Sequence, residues 1–140
     1  MKHLFHTLFI LLLMAACGQT GTERNTTVAE LPGSDAKVKV YYFHGKQRCV
    51  TCVSAQNVTR EAIEEHFPGN RDVAFIEVDF SERDNQALAE KYEIVFSSII
   101  IANDTDYKDI TDESFAMVMR NPVGLKSFIA QETRVFLDKS

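Results

Sequence analysis

The stretch Val38-Lys39-Val40-Tyr41-Tyr42-Phe43-His44-Gly45-Lys46-Gln47-Arg48-Cys49-Val50-Thr51-Cys52 decides how this chain folds. Its first six residues are β-branched or aromatic apart from Lys39, the composition of a mostly buried strand. His44-Gly45 closes that strand. From Cys49 to Phe67 neither Pro nor Gly occurs, and Val58, Ala62, Ile63 and Phe67 recur opposite Arg60, Glu61, Glu64 and Glu65. That periodicity predicts an amphipathic helix. A cysteine pair spaced i, i+3 therefore falls at a strand-to-helix junction.

Downstream, Pro68-Gly69 ends the helix, and Val73 to Phe80 reads as a second strand with both faces largely covered, completing a βαβ unit. Ser81 is the expected cap of a second helix running to Tyr92, with Ala87, Leu88 and Tyr92 as its apolar stripe. Ile99-Ile100-Ile101-Ala102 is a third strand, Asn103 to Asp106 a turn, and Tyr107 to Ile110 a short fourth strand completing a hairpin. Asn121-Pro122 starts a closing helix whose buried face is Leu125, Phe128, Ile129, Val135 and Phe136. Residues 111–120 declare no element. The order β-α-β-α-β-β-α predicts an α/β domain over residues 37–140, a central mixed four-stranded sheet flanked by helices.

The amino terminus has a different character. Lys2, an apolar run from Leu4 to Met14, and small Ala15-Ala16 before Cys17 read as a signal peptide over residues 1–16. The run is too short to span a bilayer, which takes about 20 residues. Met14-Ala15-Ala16-Cys17 resembles the bacterial lipobox, which implies a lipid on Cys17 and a lipid-anchored protein of the cell envelope. With Gly18-Gln19 after the lipid site, the outer membrane is the preferred face. Residues 17–36, rich in Thr, Gly, Ser and Asn and carrying Pro32-Gly33, have the composition of a flexible tether.

The chain of 140 residues carries 15 basic and 20 acidic side chains, and without the leader's Lys2 the net charge is −6. That balance gives no electrostatic reason to bind nucleic acid. With 45% hydrophobic and 25% charged residues, only 6 Gly and 3 Pro, one ordinary core is expected rather than disorder. A monomer without a cofactor is the expectation.

Once Cys17 is acylated, Cys49 and Cys52 remain as Cys49-Val50-Thr51-Cys52. A helix start presents free N–H groups and the positive end of the helix dipole, so Cys49 should ionise below the ordinary thiol value of about 8.5. Lys46 and Arg48 stand just before it and are expected to add to the effect. Cys52, one turn in, is the candidate resolving thiol, which closes an intramolecular disulfide and releases a bound partner. Two other readings stay open. The pair can be a permanent disulfide stapling an exported domain, although so short a loop restrains little of the unfolded chain. It can also hold a soft ion such as copper(I) or an arsenite-like species, with His44 as third ligand or proton relay, since two sulfurs do not complete a zinc site.

These residues resemble the thioredoxin superfamily. Tyr41-Tyr42-Phe43-His44-Gly45 leading to Arg48-Cys49-Val50-Thr51-Cys52 is most similar to the thioredoxin-like family named nitrophenyl compound nitroreductase subunit ArsF, over roughly Val38 to Phe136. The resemblance implies a thioredoxin-like fold, Cys49 as nucleophile, Cys52 as resolving thiol, and a tie to reduction of nitroaromatic or aromatic arsenic compounds. An envelope dithiol redox partner or a small oxidised substrate is the expected counterpart, and a catalytically idle thioredoxin-like interaction module is a further alternative. Against ordinary thioredoxin, Arg48 replaces the tryptophan before the first cysteine. The loop before the third strand reads Phe96-Ser97-Ser98-Ile99, with Ser98 in the place of the cis-proline. The first strand offers Tyr42 and Phe43 where a buried carboxylate would sit.

Overall fold

A computed structural model describes residues 31–140. The leader, Cys17 and most of the expected tether lie outside the described residues. The strand expected at Val38 is β1 (Val38–His44), followed by α1 (Val50–His66), β2 (Val73–Asp79), a 3₁₀ turn (Arg83–Asn85), α2 (Gln86–Lys91), β3 (Ser98–Ala102), β4 (Tyr107–Asp109), α3 (Thr111–Met117) and α4 (Pro122–Leu137). The sheet order is β2-β1-β3-β4, parallel between β1 and β2 and antiparallel elsewhere.

Strand β1 lies inside the sheet and is covered on both faces, which is why its sequence is apolar without alternation. Val38, Val40 and Tyr42 turn to the side of α1 and α4, where Val58, Ala62, Ile63, Leu125, Ile129 and Phe136 close the larger core. Tyr41 and Phe43 turn the other way, to Ile76, Val78, Tyr92 and Ile100. Strand β3 divides its side chains likewise, Ile99 and Ile101 to the first core and Ile100 to the second. Each of these Val and Ile side chains, taken fully out of water, contributes about 1.5–3 kcal/mol before the entropy of ordering is subtracted. Lys126 of α4 ties the two helices of the first layer together by meeting Glu61 at 2.8 Å and Glu65 at 2.7 Å.

Several local expectations are corrected. Residues 31–36, read as the end of the tether, fold onto the sheet: Leu31 packs against the second core, Ala36 is buried, and the chain turns through hydrogen bonds from Ser34 to Leu31 and from Ala36 to Gly33. Gly33 makes this possible with φ +83 and a backbone so close to β2 that a Cβ would lie 2.7 Å from that of Ala74. Ser81 does not cap α2. Its N–H and hydroxyl donate instead to the Asp79 carboxylate, whose pKa they lower, and the helix proper begins at Gln86. Within α2 the buried alanine is Ala89 rather than Ala87, and in α4 Val135 is exposed while Ala130 and Thr133 are buried. The unassigned residues 111–120 contain α3, whose Thr111 accepts a hydrogen bond from the Ile99 N–H and is buried against β3. Asn121 does start α4, its side chain accepting from the Gly124 N–H at 2.9 Å.

Candidate dithiol site

Cys49 is the residue at which β-type backbone gives way to helix, with φ −80 and ψ 164, and it caps α1 with its own sulfur: Sγ accepts from the Cys52 N–H at 3.2 Å. No acidic residue occupies the first turn of α1 to oppose an anion there. Cys49 is exposed, Cys52 is half-buried, and both thiols are free. The Cys49 thiol is held below its ordinary pKa, first by the hydrogen bond from the Cys52 thiol and next by the Cys52 N–H, with the Thr51 N–H assisting and slight desolvation opposing. A helix-start sulfur of this kind is a nucleophile reachable from solvent.

The leading groups that lower Cys49 are those of Cys52 and the first turn, and Lys46 and Arg48, expected to add to the effect, have other partners. Lys46 is exposed and its field falls on Asp79. Arg48 turns away to Glu77 of β2, Nη1 to Oε1 at 3.3 Å. The same Oε1 meets His44 Nε2 at 2.9 Å, and Oε2 accepts from Gln56 Nε2 of α1. Glu77 is thus a hub linking the end of β1, the loop before the nucleophile and the body of α1. Sequence reading misses both Glu77 and Gln56, which look like an exposed strand carboxylate and a polar helix position. His44 is buried within this hub rather than standing free as a third sulfur-side ligand.

Beneath the second cysteine lies Tyr42, wholly buried, whose hydroxyl donates to the Cys52 carbonyl at 2.6 Å. Ser97 bonds the same phenol, whose pKa is pushed up to about 12, mainly by burial. The residue that reaches the site from the loop before β3 is therefore Ser97. Ser98 is already strand, paired with Phe43, and its hydroxyl is spent on the Phe96 carbonyl. Val50 and Val53 of α1 and Val95 and Phe96 of that loop are exposed. An open pocket of about 680 Å³ lies among Phe80, Ala89, Glu90, Glu93, Ile94 and Val95, away from the sulfurs. Among the described residues no group of three or more His, Cys, Asp or Glu side chains is arranged to hold a metal ion. Nor is any described helix long and apolar enough to cross a membrane.

No family model and no curated protein matches the chain. Solved structures do. The human ERp44 zinc-bound form superposes with a TM-score of 0.52 at 16% identity, covering 70% of this chain and 27% of that one. Human ERp44 form II gives 0.53 at 19% identity, covering 76% and 28%. The fold is thioredoxin-like. The sheet order and the cysteine pair at the head of α1 agree with that placement, which the sequence resemblance implies as well. This chain spans about a quarter of the ERp44 chains it matches, and at these identities the likeness concerns architecture.

Proposed function

We propose that the protein is a thiol–disulfide oxidoreductase or electron-transfer subunit, held at the cell envelope by a lipid on Cys17 and working through Cys49 and Cys52. The observation that carries the reading is the exposed Cys49 sulfur at the start of α1, its pKa lowered by Cys52 and its first-turn N–H groups, with a half-buried second thiol one turn away. The Cys49 thiolate attacks one sulfur of an oxidised partner, forming a mixed disulfide as the partner's other sulfur leaves and takes up a proton. Cys52 loses its proton and attacks Cys49 Sγ. The second partner thiol departs, and the domain is left oxidised by two electrons. An envelope dithiol returns it to the reduced state, and the cycle runs the other way if the partner is the stronger reductant. The narrower likeness to the ArsF family, carried by Arg48-Cys49-Val50-Thr51-Cys52, makes a small oxidised aromatic compound an alternative electron acceptor.

The test is capture. Cys52→Ser should hold partners as adducts through Cys49 that a reductant releases, and Cys49→Ser/Cys52→Ser should hold none. If the single variant traps nothing and the Cys49–Cys52 disulfide resists reduction by dithiols, the exchange reading fails. Incorporation of a labelled acyl chain in the wild type, lost in Cys17→Ser, tests the anchor.

A further inference from the structure

The Glu77 hub contains a geometry that a neutral imidazole beside an ionised carboxylate does not satisfy. Both ring nitrogens of buried His44 face acceptors: Nε2 faces Glu77 Oε1 at 2.9 Å and Nδ1 faces the Gly45 carbonyl at 3.0 Å. A neutral imidazole carries one N–H, so it serves one of these and turns a lone pair on the other, whereas the imidazolium donates to both. Around the hub a donor and an acceptor also go unused, since Arg48 Nε and Gln56 Oε1 are buried without partners.

We propose that Glu77 is a positioning residue for the dithiol and that His44 protonation sets how firmly it holds the loop Gly45–Arg48 that carries Cys49. This rests on the thiol-exchange reading and names its regulation. With His44 charged, the imidazolium pins the Gly45 carbonyl at the exit of β1 and shares Oε1 with Arg48, so both ends of the short loop are fastened to one carboxylate. When His44 loses its proton, one of these two contacts is lost and that end of the loop is released. The titratable and charged groups around His44 are Glu77 and Asp79 from β2, Arg48 on the same Glu77 oxygen and Tyr42 from its own strand; Lys46, like His44, acts on Asp79.

The experiment is the pH profile of Cys49 alkylation by iodoacetamide in the full chain, read in Cys52→Ser and in Cys52→Ser/Glu77→Gln. Histidine ¹⁵N shifts are followed in parallel. Expected is a thiol inflection plus a second inflection that coincides with the change in the His44 ¹⁵N shifts, with both His44 nitrogens protonated on its acid side. In the Glu77→Gln background the second inflection should move to lower pH and shrink while the thiol inflection remains. A Cys52→Ser profile with the thiol inflection alone overturns the proposal, as does a second inflection unmoved by Glu77→Gln. The shifts provide a check independent of alkylation, and a singly protonated His44 on the acid side also overturns it. Because iodoacetamide needs no redox partner, failure of this test is distinguishable from failure to capture one.

Discussion

Tyr42→Phe isolates one hydroxyl at the base of the site. The ring stays, so no cavity opens, and the change removes the 2.6 Å bond to the Cys52 carbonyl together with the contact to Ser97. A buried neutral hydrogen bond nets about 1 kcal/mol, rising to about 1–3 kcal/mol when a partner is left unsatisfied. The Cys52 carbonyl, an acceptor inside α1, loses this donor but keeps its place in the helix ladder, so a cost of about 1 kcal/mol is expected. For a domain of this size that lowers Tm by about 4–8 °C. The pH dependence has a definite sign. The Tyr42 phenol is raised from 10.0 to about 12, chiefly by burial, so it stabilises the fold fully below the unfolded value and loses that contribution as pH climbs from 10.0 towards 12. Tyr41, also raised to about 12, titrates in wild type and variant alike. The stability gap between wild type and Tyr42→Phe should therefore be widest near neutrality and shrink through the alkaline range. Urea melts followed by circular dichroism at several pH values measure it. A variant as stable as wild type at neutral pH, or a gap that stays constant into alkali, refutes the role assigned to the hydroxyl.

Asn121→Ala removes the side-chain acceptor for the Gly124 N–H at the start of α4 and should cost about 1 kcal/mol in the same melts, while Asn121→Asp should cost far less. Gly33→Ala forces a Cβ onto a residue at φ +83 and to within 2.7 Å of the Ala74 Cβ, so a loss of at least about 1–2 kcal/mol is expected in urea denaturation. An unchanged midpoint would mean that residues 31–36 do not belong to the packed domain.

The layout of the fold was legible because its signals are local. The β-branched and aromatic run Val38–Phe43, the apolar run Ile99–Ala102 and the helical spacing of Val58, Ala62 and Ile63 each announce an element within a few residues of itself. Helix α3 was missed because its placement comes from Thr111 bonding Ile99, a contact made only once the strands have assembled. Ala87 and Val135 were misjudged for a related reason, since which side of a short helix is buried depends on the sheet beneath it.

At the site the division is sharper. The cysteine spacing and its position at a strand-to-helix junction are properties of the chain, and from them follow the exposed cap sulfur and its lowered pKa, because a helix start supplies its own N–H groups. What surrounds that sulfur was decided by pairing. The parallel register that sets Tyr42 beside Glu77 brings a β2 carboxylate under the loop, draws Arg48 away from the thiol it precedes, and gives Gln56 and His44 a common partner. The antiparallel pairing of Phe43 with Ser98 likewise leaves Ser97, not Ser98, to reach the Tyr42 hydroxyl. A charge acts on what lies near it in space, and for residues far apart in the chain that neighbourhood is set by strand register.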